Sequence, residues 1–510
     1  MSFLEACMPM QFRVVRENLA KSPIAYRLAS GAFWSLLGGV ISRLFAIASS
    51  IIIARVLGKE SFGEFGMVQS TMGMFGVLAG FGLGSTATKF VAEHRRLNPV
   101  KAGNVSNLTI LFSLASGGIL AMACLLMSPW LATETLHRPE MATLLQAGSL
   151  MLFYSTLNSV LLGIMAGFEA FQSTARINIL QGIAAPLVAI PLVWHFGVAG
   201  AVASLTVNAA LGMLLCSFAL RSLYKDFLIS ATYNQALWSE WPVLWKFALP
   251  AMLSGLMVAP VTWLTNLFLV NRVGGYGELG LFNAANQWRA LILFLPGLLA
   301  SVMLPVLSDA YGQKENSDFT KAITLNLRAT WIVCLPLTML VMVLNKPLSA
   351  LFGRSFNGSG PVLALLMVSC FLMVVNNTVG TALAGSGRMW TGTVMNIGWA
   401  AVLVAGAYVM TPSMGALGLA AAYLSAYILH SVWQMLYVEI KLAPSSVFSQ
   451  WKLILFSVSL MAVGVRSAVM AIDTYLGSVT LLLLSMVPAL WFVLRSFRTK
   501  PAIIIAGEIS

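Results

Sequence analysis

The sequence predicts an all-α polytopic membrane protein of about fourteen transmembrane helices, and three observations carry that expectation. Apolar runs of about 20 residues recur from end to end of the chain, each long enough to cross a hydrocarbon core about 30 Å thick as a helix. Charged residues make up 9% and hydrophobic residues 59% of the 510 positions, with a mean hydropathy of +0.86, whereas soluble domains carry about 25% charge. Lys and Arg gather on every second connection between the runs. A soluble fold is excluded. The runs also lack the ten-residue alternation of barrel strands, and backbone polar groups in lipid must be paired within each segment, so the spans are helices.

Along the chain, residues 1–30 carry Arg13, Arg16, Lys21 and Arg27 and are too polar for the apolar stretch of a cleavable signal peptide, which makes them a cytoplasmic arm. Spans one (31–56) and two (65–88) flank a polar reversal holding Arg55 and Lys59. Lys89, Arg95, Arg96 and Lys101 precede span three (105–127), and a short connection with Arg138 leads to span four (144–167). Arg176 stands before span five (177–196), and Gly197 alone separates it from span six (198–220). Arg221, Lys225 and Lys246 mark a linker to span seven (247–270), and Arg272 lies between it and span eight (281–307). Lys314 and Lys321 introduce span nine (324–344), Lys346 and Arg354 span ten (361–384), and Arg388 span eleven (391–410). Span twelve (417–438) is followed by Lys441 and Lys452, span thirteen (453–472) and span fourteen (476–494), with Arg495, Arg498 and Lys500 in the tail.

Lys and Arg resist translocation and accumulate on the cytoplasmic side of short loops. With both termini inside, 21 of the 30 basic residues are cytoplasmic and seven lie outside. The net charge of +13 therefore records the topology of a multi-pass protein and does not point to nucleic acid. Two basic residues, Arg43 and Arg289, fall within spans. Of the five cysteines, Cys124, Cys216, Cys334 and Cys370 lie in apolar spans, and neither they nor the four scattered histidines have metal-ligand spacing, so no disulfide framework, metal or cofactor is expected.

An internal repeat divides the chain. Ala166-Gly167 recurs as Ala384-Gly385, Asn178-Ile179 as Asn396-Ile397, and Gly197 with Gly200 as Gly415 with Gly418, all at an offset of 218. Arg55-Val56 followed by Gly63-Glu64-Phe65-Gly66 matches Arg272-Val273 followed by Gly277-Glu278-Leu279-Gly280 at slightly shorter offsets. Spans one to six map onto seven to twelve with the same orientation, so the repeat is parallel, and spans thirteen and fourteen are appended. The expected organisation is an arm (1–30), a six-helix bundle (31–222), a cytoplasmic linker (223–246), a second bundle (247–440) and two further helices with a tail (441–510). Two bundles of this kind enclose a cleft that rocking exposes alternately to each side, and Pro186, Pro191, Pro250, Pro260, Pro296 and Pro305 are candidate hinges.

Arg55-Val-Leu-Gly58 before Phe62-Gly63, then Gly80-Phe-Gly-Leu-Gly84, then Ala87-Thr-Lys-Phe-Val-Ala-Glu93, resembles the polysaccharide transporters of the multidrug/oligosaccharidyl-lipid/polysaccharide exporter superfamily, as does Ala166-Gly-Phe-Glu-Ala-Phe171. The chain looks like a Wzx-type flippase of O-antigen or related repeat units. The resemblance implies fourteen helices, a substrate built as an oligosaccharide on undecaprenyl pyrophosphate, and transfer from the cytoplasmic to the outer face by alternating access. It also implies partners: the lipid-linked oligosaccharide, membrane lipids, a polysaccharide polymerase and a chain-length regulator. A related family, the lipid II flippases, carries a Ser-Arg pair twelve residues before an Ala-Arg, as Ser42-Arg43 stands before Ala54-Arg55; between them it has an adjacent Arg-Asp, where this chain has Ser49 and Ser50.

A pyrophosphate passing through low dielectric needs opposing cations and hydrogen-bond donors, and the planar guanidinium of Arg supplies both. Arg43 lies about 13 residues from either end of its span, roughly 20 Å, too deep to reach an interface, and an ionisable group at that depth points to function. Arg289, about eight residues into span eight, shares an arc of about 160° with Asn283, Asn286 and Gln287, a polar face suited to phosphate and hydroxyls. Lys89, Arg95 and Arg96 are placed to gather the headgroup on the cytoplasmic side. Competing readings are a cation-coupled drug exporter, which would need a membrane-embedded carboxylate, and a polysaccharide polymerase or ligase, which would need a large outer catalytic loop. Glu64, Glu169, Glu278 and Asp309 lie at span ends, and the longest outer connection, 128–143, is short.

Overall fold

In a computed structural model of the chain, the structure describes residues 23–227, 229, 235–249, 252, 256–293, 303, 307–311, 316–470 and 475–498. All regular structure among them is helical. The first element, Pro23–Gly80, is two helices, α1 (23–57) and α2 (59–80), turned at Gly58 (φ 74°). After a break at Phe81 and Gly82, α2 resumes as Leu83–His94. Helices α3 (Pro99–Trp130) and α4 (Met141–Gly167) follow, then α5 (171–196) and α6 (198–226), which form the element Phe171–Asp226. The second half comprises α7 (Val258–Val270), α8 (Gly275–Gln287, helical again over 289–293), α9 (Asn316–Val343) and α10 (Ser359–Gly385). It continues with α11 (389–414) and α12 (416–437), merged as Met389–Tyr437, and ends with α13 (Trp451–Met470) and α14 (Tyr475–Arg498).

Eight helical stretches are long and apolar enough to cross a membrane, and three of them hold two helices each. With α7, α8 and α14 they make up fourteen helices of a multi-pass membrane protein. Successive helices run in opposite directions, so the α1–α2 and α7–α8 reversals share one face of the molecule, here the hairpin face. The segment between α6 and α7 lies on the other, the linker face.

The two halves repeat each other in backbone geometry. Gly197 has φ 56° and ψ −131°, and Gly415, 218 residues on, has φ 60° and ψ −133°. A side chain at such a φ is strained, so glycine is what lets each helix pair turn without a loop. Two positions after each turn's α4 or α10 counterpart helix, Glu169 (φ 59°) and Gly387 (φ 73°) are also related by 218. Within the first half, α1 lies close on α5 because small residues line the contact: a Cβ at Gly38 would sit 2.8 Å from the Cα of Ala175, and one at Gly182 would sit 3.0 Å from the Cα of Ser42.

Some boundaries differ from the sequence expectation. Helix α8 starts at Gly275 rather than 281, where Gly280 lies against the Lys59 backbone, and α9 at Asn316 rather than 324, where an exposed polar first turn with Ser317 and Asp318 precedes the apolar run. Span two is broken at Phe81 and Gly82. Pro186 and Pro191 lie inside α5, whose partner break falls at Gly197 instead. Pro260 is in α7, while Pro250, Pro296 and Pro305 lie outside the described residues, as do positions 1–22 of the arm and 499–510 of the tail.

Candidate functional site

On the hairpin face, α2 of the first half crosses α8 of the second with their backbones in contact. A Cβ on Gly63 would collide with the carbonyl oxygen of Tyr276, one on Gly280 with that of Lys59, and one on Gly66 with the amide of Asn283. The glycines that permit this crossing are the repeat-related pairs Gly63/Gly66 and Gly277/Gly280. Around the crossing, Arg138 bridges Glu60 and Glu64 at 3.1 Å each and lies 4.8 Å over the ring of Tyr276, whose hydroxyl donates to the carbonyl of Leu136 at 3.3 Å. The amide of Asn271 donates to the carbonyl of Thr135 at 3.0 Å, and Arg55 donates to that of Leu351 at 2.5 Å. Phe62 packs into Phe352 and Phe356. Deeper in the seam, Trp263 donates to Thr71 at 3.1 Å and Asn266 to Ser70 at 3.0 Å.

Arg43 stands below this seam on α1. At 100° per residue, Gly39, Ile47, Ser50 and Ala54 lie within about 40° of its direction, and all four are buried. The Arg43 side chain is therefore turned into the protein, half-buried, and donates to the carbonyl of Gly39 at 3.2 Å. It lies fifteen residues before Gly58, and Arg289 lies fifteen after Gly274, the positive-φ glycine of the second reversal. Both arginines thus sit about 22 Å along their helices from the hairpin face. Arg289 is deeper than its place in a span starting at 281 suggested.

Arg289 is half-buried inside the second half. Its guanidinium meets the sulfur of Met373 on α10 at 3.4 Å and lies 5.7 Å from the ring of Tyr423 on α12. Among the described residues no carboxylate lies within ion-pair distance of it, and its buried Nε has no hydrogen-bond partner. The polar face expected of its neighbours is divided. Asn283 is turned to Gly66 in the seam, Asn286 keeps a buried carbonyl oxygen without a partner, and Gln287 ends the regular part of α8 half-buried. Asn283 and Arg289 are six residues apart, which places them about 120° apart round a helix.

Beside Arg289 opens a cavity of about 630 Å³, walled by α7, α10, α11 and α12. Met373, in contact with Arg289, is part of its lining, and the cavity extends to Ala384 and Met389 at the α10–α11 turn on the linker face. Its polar wall includes Asn376, Asn377, Asn396, Trp399, Tyr427, His430 and Gln434. His430 lies 3.3 Å from the Asn376 amide and 3.0 Å from that of Gln434. Three buried atoms of this wall, the carbonyl oxygens of Asn376 and Gln434 and the indole nitrogen of Trp399, have no hydrogen-bond partner among the described residues. In the sequence Asn376, Asn377 and Asn396 are polar residues within spans, of the kind that either line a cleft or bond across helices, and nothing there singles out Trp399, His430 or Gln434. The offset of 218 is the signal that joins them.

Carried back by 218, Asn376, Asn396, Trp399, Tyr427, His430 and Gln434 become Asn158, Asn178, Gln181, Ala209, Gly212 and Cys216 in the first half. There the thiol of Cys216 donates to Asn158 at 3.4 Å, and Gln181 donates to the backbone carbonyl of Asn208 at 3.0 Å. Gln181 and Asn158 fill the space beside Gly212, where a Cβ would lie 2.9 Å from the Asn158 amide. A smaller cavity of about 420 Å³ in the first half lies elsewhere, against the α2 break, and is lined by Gly76, Gly80, Gly84, Ser85, Ser155 and Ser159 among others.

Of the basic residues near the linker face, Arg95 is buried. It donates to the carbonyl of Gly167 at 2.9 Å and pairs with Glu169 at 2.5 Å, tying the end of α2 to the end of α4. Its charge is thus committed within the protein, unlike the role expected of it in gathering a headgroup. Lys89 is exposed, with its ammonium 4.5 Å over the ring of Phe247, and Arg96 is exposed.

Residues 28–311 of the chain match the polysaccharide biosynthesis protein family. The chain is 22% identical to a putative O-antigen transporter of Shigella flexneri, with 78% of this chain and 94% of that protein covered. It is 23% identical to an EPS I polysaccharide export inner membrane protein of Ralstonia solanacearum (83% and 97% covered) and 22% identical to the lipid III flippase of Escherichia coli K12 (79% and 96%). Among solved structures it superposes on an inward-facing multidrug resistance MATE family transporter of the MOP superfamily with a TM-score of 0.67 at 19% identity, covering 80% of this chain and 98% of that one. These structures share its fold.

Proposed function

The chain belongs to the polysaccharide biosynthesis protein family, and we propose from that premise that it flips an undecaprenyl-pyrophosphate-linked oligosaccharide from the cytoplasmic to the outer face of the inner membrane. The observation that carries this reading is Arg289, a cation held inside a membrane-spanning bundle without an acidic partner among the described residues, beside a polar cavity. Keeping such a charge in a bilayer interior costs several kcal/mol unless an anion or water meets it, and a pyrophosphate supplies two negative charges to an Arg fork. Arg43, at matching depth in the other half, is the second cation of the path. The hairpin face is the outer face, both termini are cytoplasmic, and rocking of the halves breaks the Gly63–Gly280 crossing to release substrate outwards. Exposed Lys89 and Arg96 gather the headgroup at the cytoplasmic mouth. The product then passes to a polysaccharide polymerase and its chain-length regulator.

Export of cationic drugs is the competing use of this fold, and the placement of the acids disfavours it. Glu64 pairs with Arg138, Glu169 with Arg95, and Glu278 accepts the backbone N–H of Ala416 at 2.8 Å, capping the start of α12. Deleting the gene tests the proposal. Undecaprenyl-pyrophosphate oligosaccharide should accumulate on the cytoplasmic side while surface polysaccharide is lost; an unchanged lipid-linked pool with normal surface polysaccharide would contradict it.

A further inference from the structure

We infer that the cavity in the second half is the site that binds and selects the saccharide, an inference that rests on the flipping function proposed above. Among the described residues its lining carries amides, an imidazole and two aromatic side chains and no Asp, Glu, Lys or Arg. That is chemistry for a neutral, hydroxyl-rich ligand. Each amide offers donors and an acceptor to hydroxyl pairs on a sugar edge, while Trp399 and Tyr427 offer apolar faces to the C–H side of a pyranose. The three buried polar atoms left without partners on this wall are acceptors and a donor that a bound sugar would satisfy.

The repeat supplies an independent argument. At the equivalent positions of the first half the polar side chains bond within the protein, with Cys216 on Asn158 and Gln181 on a backbone carbonyl, and Ala209 and Gly212 stand where Tyr427 and His430 stand. A general requirement of the fold would be met alike in both halves. The aromatic and imidazole wall belongs to the second half, next to Arg289, and the contact of Arg289 with Met373 places the cationic site at one end of the cavity. A pyrophosphate on Arg289 therefore leaves its first sugar at the mouth of the cavity and the rest of a short oligosaccharide pointing to the linker face. Headgroup charge is read by the arginine and sugar identity by the wall.

The test uses the full chain in lipid nanodiscs with two probes: undecaprenyl pyrophosphate without sugar, and the lipid-linked oligosaccharide extracted from cells lacking the gene. The variants are N377A/N396A, at two exposed lining positions where truncation spares the fold, and N396W, which fills the cavity. Each is expected to weaken binding of the sugar-bearing probe by about tenfold or more, the effect of one or two lost polar contacts, while binding of the bare carrier stays unchanged. Unchanged affinity for the sugar-bearing probe, or an equal loss for both probes, would overturn the assignment of the cavity and leave the flipping function standing. Wild-type protein that binds neither probe above empty nanodiscs would overturn the flipping function, and the cavity's role with it.

Discussion

Replacing Arg289 by alanine is expected to lower flipping by about a hundredfold or more, since truncating one partner of a buried charge pair costs about 2–5 kcal/mol. Arg289→Lys should restore part of the rate, because an ammonium keeps the charge and loses the planar fork. A structural role predicts a different pattern. The contacts of Arg289 are a thioether and an aromatic ring, so its loss should leave the melting temperature of the purified protein nearly unchanged. Arg43→Ala should behave similarly in transport. Wild-type rates in well-expressed Arg289→Ala and Arg43→Ala proteins would remove both residues from the path. A fall in melting temperature that tracks the fall in rate would reassign Arg289 to the framework.

The second large effect is expected at the crossing of α2 and α8. Gly280→Val places a side chain where the Lys59 carbonyl now lies, and Gly63→Val does the same against Tyr276. The obstacle in each case is backbone, which cannot swing aside as a flexible side chain can. Overpacking of this kind costs about 1–3 kcal/mol, enough to move a two-state equilibrium by about five- to 150-fold. The state with the hairpin face closed should be depopulated and flipping should collapse, while the protein still reaches the membrane. A cysteine introduced at Phe62, buried at the seam, should become accessible to a membrane-impermeant thiol reagent in the Gly280→Val background. Gly118→Ala, where the nearest neighbouring atom lies 4.0 Å from the new Cβ, serves as the control and should flip normally. Unaltered labelling and transport in Gly280→Val would show that this crossing does not gate the path.

Hydropathy and charge were enough to read the number of helices, because each span must be about 20 apolar residues long and each connection must be polar. The single-residue separation of spans five and six at Gly197, and its recurrence at Gly415, was also legible, since a left-handed glycine leaves the same mark in both halves. The start of α8 was not. Gly275 to Gly280 reads as a polar turn, and it is helical because close approach to the Lys59 backbone holds it there, a tertiary cause with no local pattern. Arg95 shows the same limit. In sequence it is one of a basic cluster, and only the left-handed Glu169 across the bundle reveals it as a clamp. Arg43 and Arg289 stood out because a charge inside an apolar run is rare, whereas Trp399, His430 and Gln434 are ordinary residues of buried helices. What distinguishes those three is that Gln181, Gly212 and Cys216 stand in their places in the first half, so the wall is not a repeated feature of the fold.

The central claim, movement of a lipid-linked oligosaccharide by this chain alone, is tested most directly in proteoliposomes. The purified protein is reconstituted with undecaprenyl-pyrophosphate oligosaccharide extracted from cells lacking the gene, and the substrate exposed at the outer leaflet is read with time by a membrane-impermeant glycan-oxidising reagent. With wild-type protein, substrate initially protected in the inner leaflet should become accessible to the reagent, while Arg289→Ala vesicles should match protein-free ones. Wild-type vesicles in which the protected fraction persists as it does without protein would contradict the account.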